Sequence, residues 1–331
     1  MGDALNDRLR ALREDYARTV GEPFEHFYCP LLFRDEDVEL CAGHVVSQAF
    51  SGASRAWTVQ RKDIDNFYGS LFESEFELLQ EAPRLSAATI LSDSKLSRAV
   101  SLKFFLDGEE VGYYTPQGSV PPHFTPVTLH DKGEVVPVAF KMAKEEMIAS
   151  AERSWQVDYR KDVRLAAFVS LIKAAHLTLF ELLGYQYVIT ASGYFLGHDV
   201  LGRFFLENRE KPRRDALASA EAFFREFQHM ARPVVGWKEL DGFRGSITDR
   251  SFIACEGSSG RVWGLIVVVN TGQSIYGVMV PGEAQSAPVF MEFLRNETET
   301  ISGLLCRFED DQWTASTAIK MKWPKTGVLL P

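Results

Sequence analysis

Cysteine is scarce, with four residues in a chain of 331. So few, so widely scattered, make no disulfide framework, and the fold must rest on an apolar core. Long apolar runs are also missing. No stretch of roughly 18 or more apolar residues stands out, so no membrane span is expected. The first ten residues, Met-Gly-Asp-Ala-Leu-Asn-Asp-Arg-Leu-Arg, lack the apolar core of a signal peptide. Asn6 stands where a myristoylation signal has Ser or Thr. A cytoplasmic protein with no membrane partner is the expectation. Positive charge is in deficit, with 36 Lys and Arg against 45 Asp and Glu and a net charge of −9. That argues against broad electrostatic capture of nucleic acid, which needs clustered cations, but leaves room for a local basic groove. Internal repeats and low-complexity segments are absent as well.

What is present is ordinary globular composition, 46% hydrophobic and 24% charged, enough for a sizeable core. The length suits two domains, or one with an attached module. The pattern divides into residues 1–100, 101–212 and 213–331, with Pro212 as a candidate boundary. Leu5, Leu9, Leu12, Tyr16 and Val20 place one apolar face on a helix over 3–20, most simply a core-covering helix. Phe27 to Phe33 reads as a strand interrupted by Pro30. Arg34-Asp35-Glu36-Asp37 reads as its turn, and Val38 to Ala42 as the returning strand. Ser51 to Ser54 reads as a loop, Trp57 to Gln60 as extended, and Asp63 or Asp65 as the cap of a helix beginning near Asn66.

Further along, residues 70–100 read as mainly helical with a break at Pro83. Val100 to Tyr114 is a hairpin turning at Asp107-Gly108, and Val135 to Phe140 is a strand. Helix is expected over 142–152 and 162–210. Within it Val163 to Leu183, carrying Phe168, Leu171, Ile172 and Leu179, is a buried central helix that Gly184 ends. His176 there reads as a core histidine, with a ligand role as the alternative. His198-Asp199 is a polar pair. Arg203, Arg209, Lys211, Arg213 and Arg214 form the best basic cluster, diluted by Glu207, Glu210 and Asp215. It suits either phosphates or a solvated helix end. A helix over 215–230 precedes strands over 251–256, 262–270 and 275–280, a helix over 288–306 and a final strand over 313–322. The fold class is α+β, with a helical middle and a C-terminal antiparallel sheet.

Chemistry-bearing residues concentrate between Tyr28 and Phe76. Histidine sits at a strand exit in Gly43-His44-Val45-Val46-Ser47. A helix start follows in Asp65-Asn66-Phe67-Tyr68-Gly69-Ser70-Leu71-Phe72-Glu73. The order of hairpin, histidine, loop and helix resembles the ββα-metal module of HNH-type endonucleases. The first motif resembles the family's Asp/Glu-His-x-x-Pro, and the second its Asn-x-x-x-Gly-x-x-x-Glu. The resemblance covers about 50 residues. It implies a metal-dependent nuclease hydrolysing phosphodiester bonds of nucleic acid. His44 would be the general base, and Asp65, or Asn66 in the other register, would hold Mg²⁺ or Mn²⁺, with Glu73 as a further ligand. Gly43 stands where the family has an acidic ligand, and Ala56 or Trp57 where it has a middle asparagine. Asp63, Glu73 or Glu75 would have to supply the displaced carboxylate.

The same residues admit other readings. His26-x-x-Cys29 and Cys41-x-x-His44 carry ligand types and spacing suited to structural Zn²⁺, which would consume His44 as a ligand. Cys29 and Cys41 also suit small buried hydrophobes. A non-catalytic protein that binds nucleic acid or protein on a degenerate ββα scaffold is the alternative function. Carboxylates gathered opposite His44 would distinguish catalysis from it.

Overall fold

The computed structural model describes residues 2–50, 53, 55–116, 122–131, 134–141, 155–233, 251–257, 263–272, 274–281, 300–309 and 312–322. The fold is α+β with antiparallel sheets. It forms two compact units, one made of residues 1–73 and 167–331, the other of Ser74–Ala166. This differs from the three consecutive regions expected. The second unit interrupts the first in sequence, a relation that composition does not signal.

In the discontinuous unit, α1 (Gly2–Val20) buries Leu12 and leaves Val20 exposed. Strand β1 (Leu40–His44) pairs antiparallel with β2 (Trp57–Arg61), from Leu40 opposite Arg61 to His44 opposite Trp57. Helix α2 (Lys62–Tyr68) follows at once and runs into a π-helical turn, Gly69–Glu73. Ribbon then helix is therefore the local order, but the ribbon is not the one expected. Between Phe27 and Glu36 the chain makes one tight reversal. The Phe33 amide donates to the Cys29 carbonyl, and the Cys29 amide to the Arg34 carbonyl. The turn lies at Pro30–Phe33 and not at Arg34–Asp37, because Phe33 adopts φ 55°. Asp35 accepts the Glu25 and His26 amides instead of turning the chain. Helix α2 begins at Lys62, with no side-chain cap from Asp63 or Asp65.

The central helix, Lys161–Leu183, is apolar on nearly every side. Phe168, Leu171, Ile172 and Leu179 are all buried, and Gly184 ends the helix at φ 61°. Contrary to the expectation of no such segment, it is long and apolar enough to cross a membrane, and 89% of its most apolar window is buried inside the protein. Beyond it Phe195–Gly202 is a second π-helical stretch. A Cβ at Gly197 would collide with the Pro30 carbonyl, and one at Gly202 with the Leu31 carbonyl. An α-helix would set residues five apart on nearly opposite faces, at about 100° per step. The wider π-turn brings both glycines round to the same passing backbone. The Tyr68 hydroxyl donates to the Leu201 carbonyl in this stretch (2.7 Å), fixing α2 against it. Phe67, Tyr68, Phe72, Phe204 and Phe224 complete the packing around that bond through ring pairs at 4.9–6.4 Å.

The same unit holds a six-stranded antiparallel sheet. Its strands are β8 (Ala231–Pro233), β9 (Ser251–Gly257), β10 (Trp263–Asn270), β11 (Ile275–Pro281), β12 (Thr300–Glu309) and β13 (Gln312–Lys322). They lie in the order β13-β12-β9-β10-β11-β8. The helix expected over 288–306 falls outside the described residues as far as 299, and from Thr300 the chain is strand. Partners on both sides, β9 and β13, override the helical reading there.

The inserted unit is a five-stranded antiparallel sheet with short helices over Ser74–Glu81, Ala87–Ser92 and Leu96–Ala99. Its strands are β3 (Val100–Leu106), β4 (Glu109–Tyr114), β5 (Thr125–Asp131), β6 (Glu134–Phe140) and β7 (Trp155–Tyr159), in the order β5-β6-β4-β3-β7. Asp107 and Gly108 turn the β3–β4 hairpin at φ 52° and 86°. The helix expected over 142–152 lies outside the described residues.

Candidate functional site

The helical stretch Lys62–Glu73 presents two faces, each with its own chemistry. Inward, the Lys173 ammonium on the central helix lies 3.0 Å from Asp65 Oδ1 and 2.7 Å from Glu73 Oε1. Lys173 is 1% exposed. Burial alone pulls its pKa down. The charges and hydrogen bonds of Glu73 and Asp65 more than offset that, so the net direction is up and the ammonium stays charged. The Tyr68 ring adds a face 5.9 Å away. The Cys41 thiol completes the group, donating to Asp65 Oδ2 at 3.8 Å. Burial, then the Asp65 charge, push that thiol up to about 11, so it is protonated at neutral pH.

The π-turn is what lets both carboxylates reach one ammonium. In a continuous α-helix at about 100° per residue, the eight steps from Asp65 to Glu73 would leave them roughly 80° apart around the axis. A π-turn advances only about 80° per residue. Winding half of those steps that way removes about the same 80° and aligns the two side chains. Breaking a buried ion pair from one side typically costs about 3–5 kcal/mol, so this group anchors the helix firmly.

The outward face of the same stretch lines an open cleft of about 450 Å³. Asn66 and Ser70 form one wall with Phe67. Arg209, Lys211 and Arg213, three members of the basic cluster read in the sequence, line it as well. They follow the short helix Arg203–Asn208, whose C-terminal end favours cations. The Arg209 guanidinium lies 5.8 Å from the Phe205 ring centroid and 3.4 Å from Glu210 Oε1. Lys211 Nζ donates to Asn208 Oδ1 at 2.9 Å and to Ser219 Oγ at 3.3 Å. Arg213 donates to the Ser70 carbonyl, tying the two segments together. Two acids line the cleft as well, Asp63 and Glu210. Burial disfavours the charged form of Asp63, but the hydrogen bonds and charge of Arg61 overcome this and lower its pKa. Arg61 grips it at 3.1 and 2.8 Å. Arg203 and Arg214 are not part of the lining. Arg203 is paired with Glu207 at 2.9 Å.

The sequence-predicted site residues are thus divided. Asp65 and Glu73 come together, but around Lys173. Asn66 lines the cleft. His44 ends β1, with its Nε2 2.5 Å from the Gln48 amide nitrogen. Side chains alternate along a strand, so His44 leaves the ribbon on the opposite face from Cys41, and it is the Cys41 face that meets Asp65. A Cβ at Gly43, the place of the missing acidic ligand, would collide with the buried Gln60 side chain. As they stand, these donors do not fit a divalent metal.

The zinc set is likewise spread out. Cys41 and His44 point to opposite faces. Cys29 is buried at the Pro30 reversal, and burial raises its thiol to about 11. His26 lies 3.9 Å from Glu25 Oε1, half exposed. Among the described residues no three His, Cys, Asp or Glu side chains gather as a metal-ligand group.

His176 is fully buried, with Nδ1 3.0 Å from the Tyr187 hydroxyl. Burial lowers its pKa to about 4, opposed by the nearby Pro30 carbonyl, although Nε2 makes no well-formed hydrogen bond. It is a neutral core histidine. His198 Nδ1 lies 2.9 Å from Asp199 Oδ1, and its ring stacks on Tyr194 at 4.5 Å.

Sequence reasoning missed Lys173. Its signal was a lysine amid the apolar residues of the central helix, which cannot be buried without a countercharge. No family model, curated protein or solved structure matches this chain.

Proposed function

We propose that this protein binds nucleic acid through its phosphates at the Arg209–Lys211–Arg213 cleft without hydrolysing it. One observation carries the reading: three cations line one cleft with Asn66 and Ser70 of a ribbon-and-helix stretch that resembles the HNH-type scaffold. Guanidinium groups suit phosphate oxygens bidentately, and Asn and Ser add neutral donors. Asp63 is already answered by Arg61, whereas Glu210 pairs with Arg209 and offsets part of its charge. Against a net charge of −9, affinity is modest and strongly dependent on salt.

The test is fluorescence anisotropy with labelled single-stranded DNA, duplex DNA and RNA across a salt series. Three phosphate contacts give a log–log salt slope of about −2 to −3. Each of Arg209→Ala and Lys211→Ala weakens binding for all sequences and reduces that slope by about 1. Equal binding by the wild type and the double variant, or no binding by the wild type, overturns the reading.

A metal-dependent nuclease at His44 is the second reading, supported by the ribbon-then-helix order and by His44 at the strand exit. It requires cleavage with Mg²⁺ or Mn²⁺ that EDTA stops. His44→Ala would reduce that cleavage by about 10²–10⁴ as a lost general base. The engagement of Asp65 and Glu73 with Lys173 favours binding over cleavage.

A further inference from the structure

We infer that Lys173 is a built-in cation, its ammonium standing between Asp65 and Glu73 where a divalent metal would otherwise balance them. Several observations converge on this. The two carboxylates come from opposite ends of one helical stretch and are aligned by a π-turn, a costly local geometry kept for a shared target. The target is a single Nζ with oxygens at 3.0 and 2.7 Å, the hard-oxygen surroundings that Mg²⁺ and Mn²⁺ also take. Asp65 and Glu73 keep 31% and 18% of their side-chain surface exposed, so ions reach their outer edge, while the ammonium inside is 2% exposed.

A further polar group stands on the ribbon face that carries Cys41. Gln60, in register with Cys41, is 3% exposed, and neither end of its amide has a hydrogen-bond partner among the described residues. A surface salt bridge would need none of this arrangement.

A tethered ammonium is present in every folded molecule, whatever the ion supply. Helix α2 therefore holds its place, and with it Asn66 and Ser70 in the cleft wall, without divalent metal. Removing the lysine side chain uncovers a carboxylate pair that takes a metal instead.

Thermal unfolding of the full chain, in EDTA and in millimolar Mn²⁺, tests this. The wild-type midpoint is the same in both. Lys173→Ala unfolds roughly 5–15 °C lower in EDTA, and Mn²⁺ restores at least half of the loss. The variant binds about one Mn²⁺ per chain by calorimetry, and adding Glu73→Gln abolishes both binding and rescue. Lys173→Met combined with Asp65→Asn and Glu73→Gln, neutral throughout, folds and ignores Mn²⁺. A Lys173→Ala protein that Mn²⁺ does not stabilise, or that folds in neither condition, overturns the inference. So does a wild type that binds Mn²⁺ and loses that binding on Asp65→Asn.

Discussion

Two glycines in the π-helical stretches offer a controlled perturbation. Gly69 has φ −59° and ψ −46°, and Gly202 has φ −62° and ψ −45°. Their backbones are nearly identical, so replacing either with alanine recovers the same intrinsic helix preference, about 0.8–1.0 kcal/mol. Only their surroundings differ. A Cβ on Gly69 meets nothing within 4 Å, whereas one on Gly202 overlaps the Leu31 carbonyl. A main-chain oxygen cannot swing aside as a long side chain can, and overpacking of this kind costs about 1–3 kcal/mol. Gly69→Ala is therefore expected to stabilise by about 0.5–1 kcal/mol. Gly202→Ala sets that gain against the overlap, ending about 0–2 kcal/mol below wild type. Urea unfolding with linear extrapolation measures both, and the midpoints move while the slopes stay the same. If the two substitutions shift stability in the same direction and by similar amounts, the π-helical stretch does not lie against the Pro30–Leu31 backbone. The account of why it is wound that way then fails.

Leu171→Ala, at a fully buried position of the central helix, costs about 2–5 kcal/mol because the surroundings of a core cavity relax only in part. Equilibrium unfolding reports it, and a loss below about 1 kcal/mol contradicts the burial. His176 is neutral in the fold, its pKa lowered from 6.5 to about 4. Its stabilising contribution is full above pH 6.5 and falls away as pH drops from there toward 4, by on the order of 3 kcal/mol. His176→Gln flattens that part of the pH–stability curve, and an unchanged slope refutes the assignment.

The parts of this fold legible in sequence are those fixed by local chemistry. Asp107-Gly108 demanded a hairpin, and the all-round apolar character of Val163–Leu183 demanded burial. Each rests on one short-range signal. The segment around Pro30 was misleading because a run of four charged residues looks like a turn. In the fold Asp35 spends its carboxylate on two amides, and Phe33 takes the left-handed conformation that reverses the chain. Periodicity at 3.6 residues cannot foresee a π-turn, so Asp65 and Glu73 were read as ligands without the geometry that joins them. Their partner was legible only as an anomaly. The basic cluster was visible as composition, but Asn66 and Ser70, which line the same cleft, lie far away in sequence and are set there by long-range packing.

Glu73 is the last residue of the first segment of the discontinuous unit, and Lys173 stands early in the second, 100 positions later. The ion pair between them therefore closes the gap left by an inserted module. During synthesis the opening segment emerges with its carboxylates unanswered and must wait for the whole of Ser74–Ala166 before its countercharge leaves the ribosome. Closing so long a loop carries an entropic cost that grows only slowly with its length, so the module can lengthen or shrink in evolution with little penalty to that closure. The same separation delays the non-local contacts on which the unit depends. The discontinuous unit is thus modular in its tolerance of change and sequential in its assembly, with one lysine marking the point where its two segments meet.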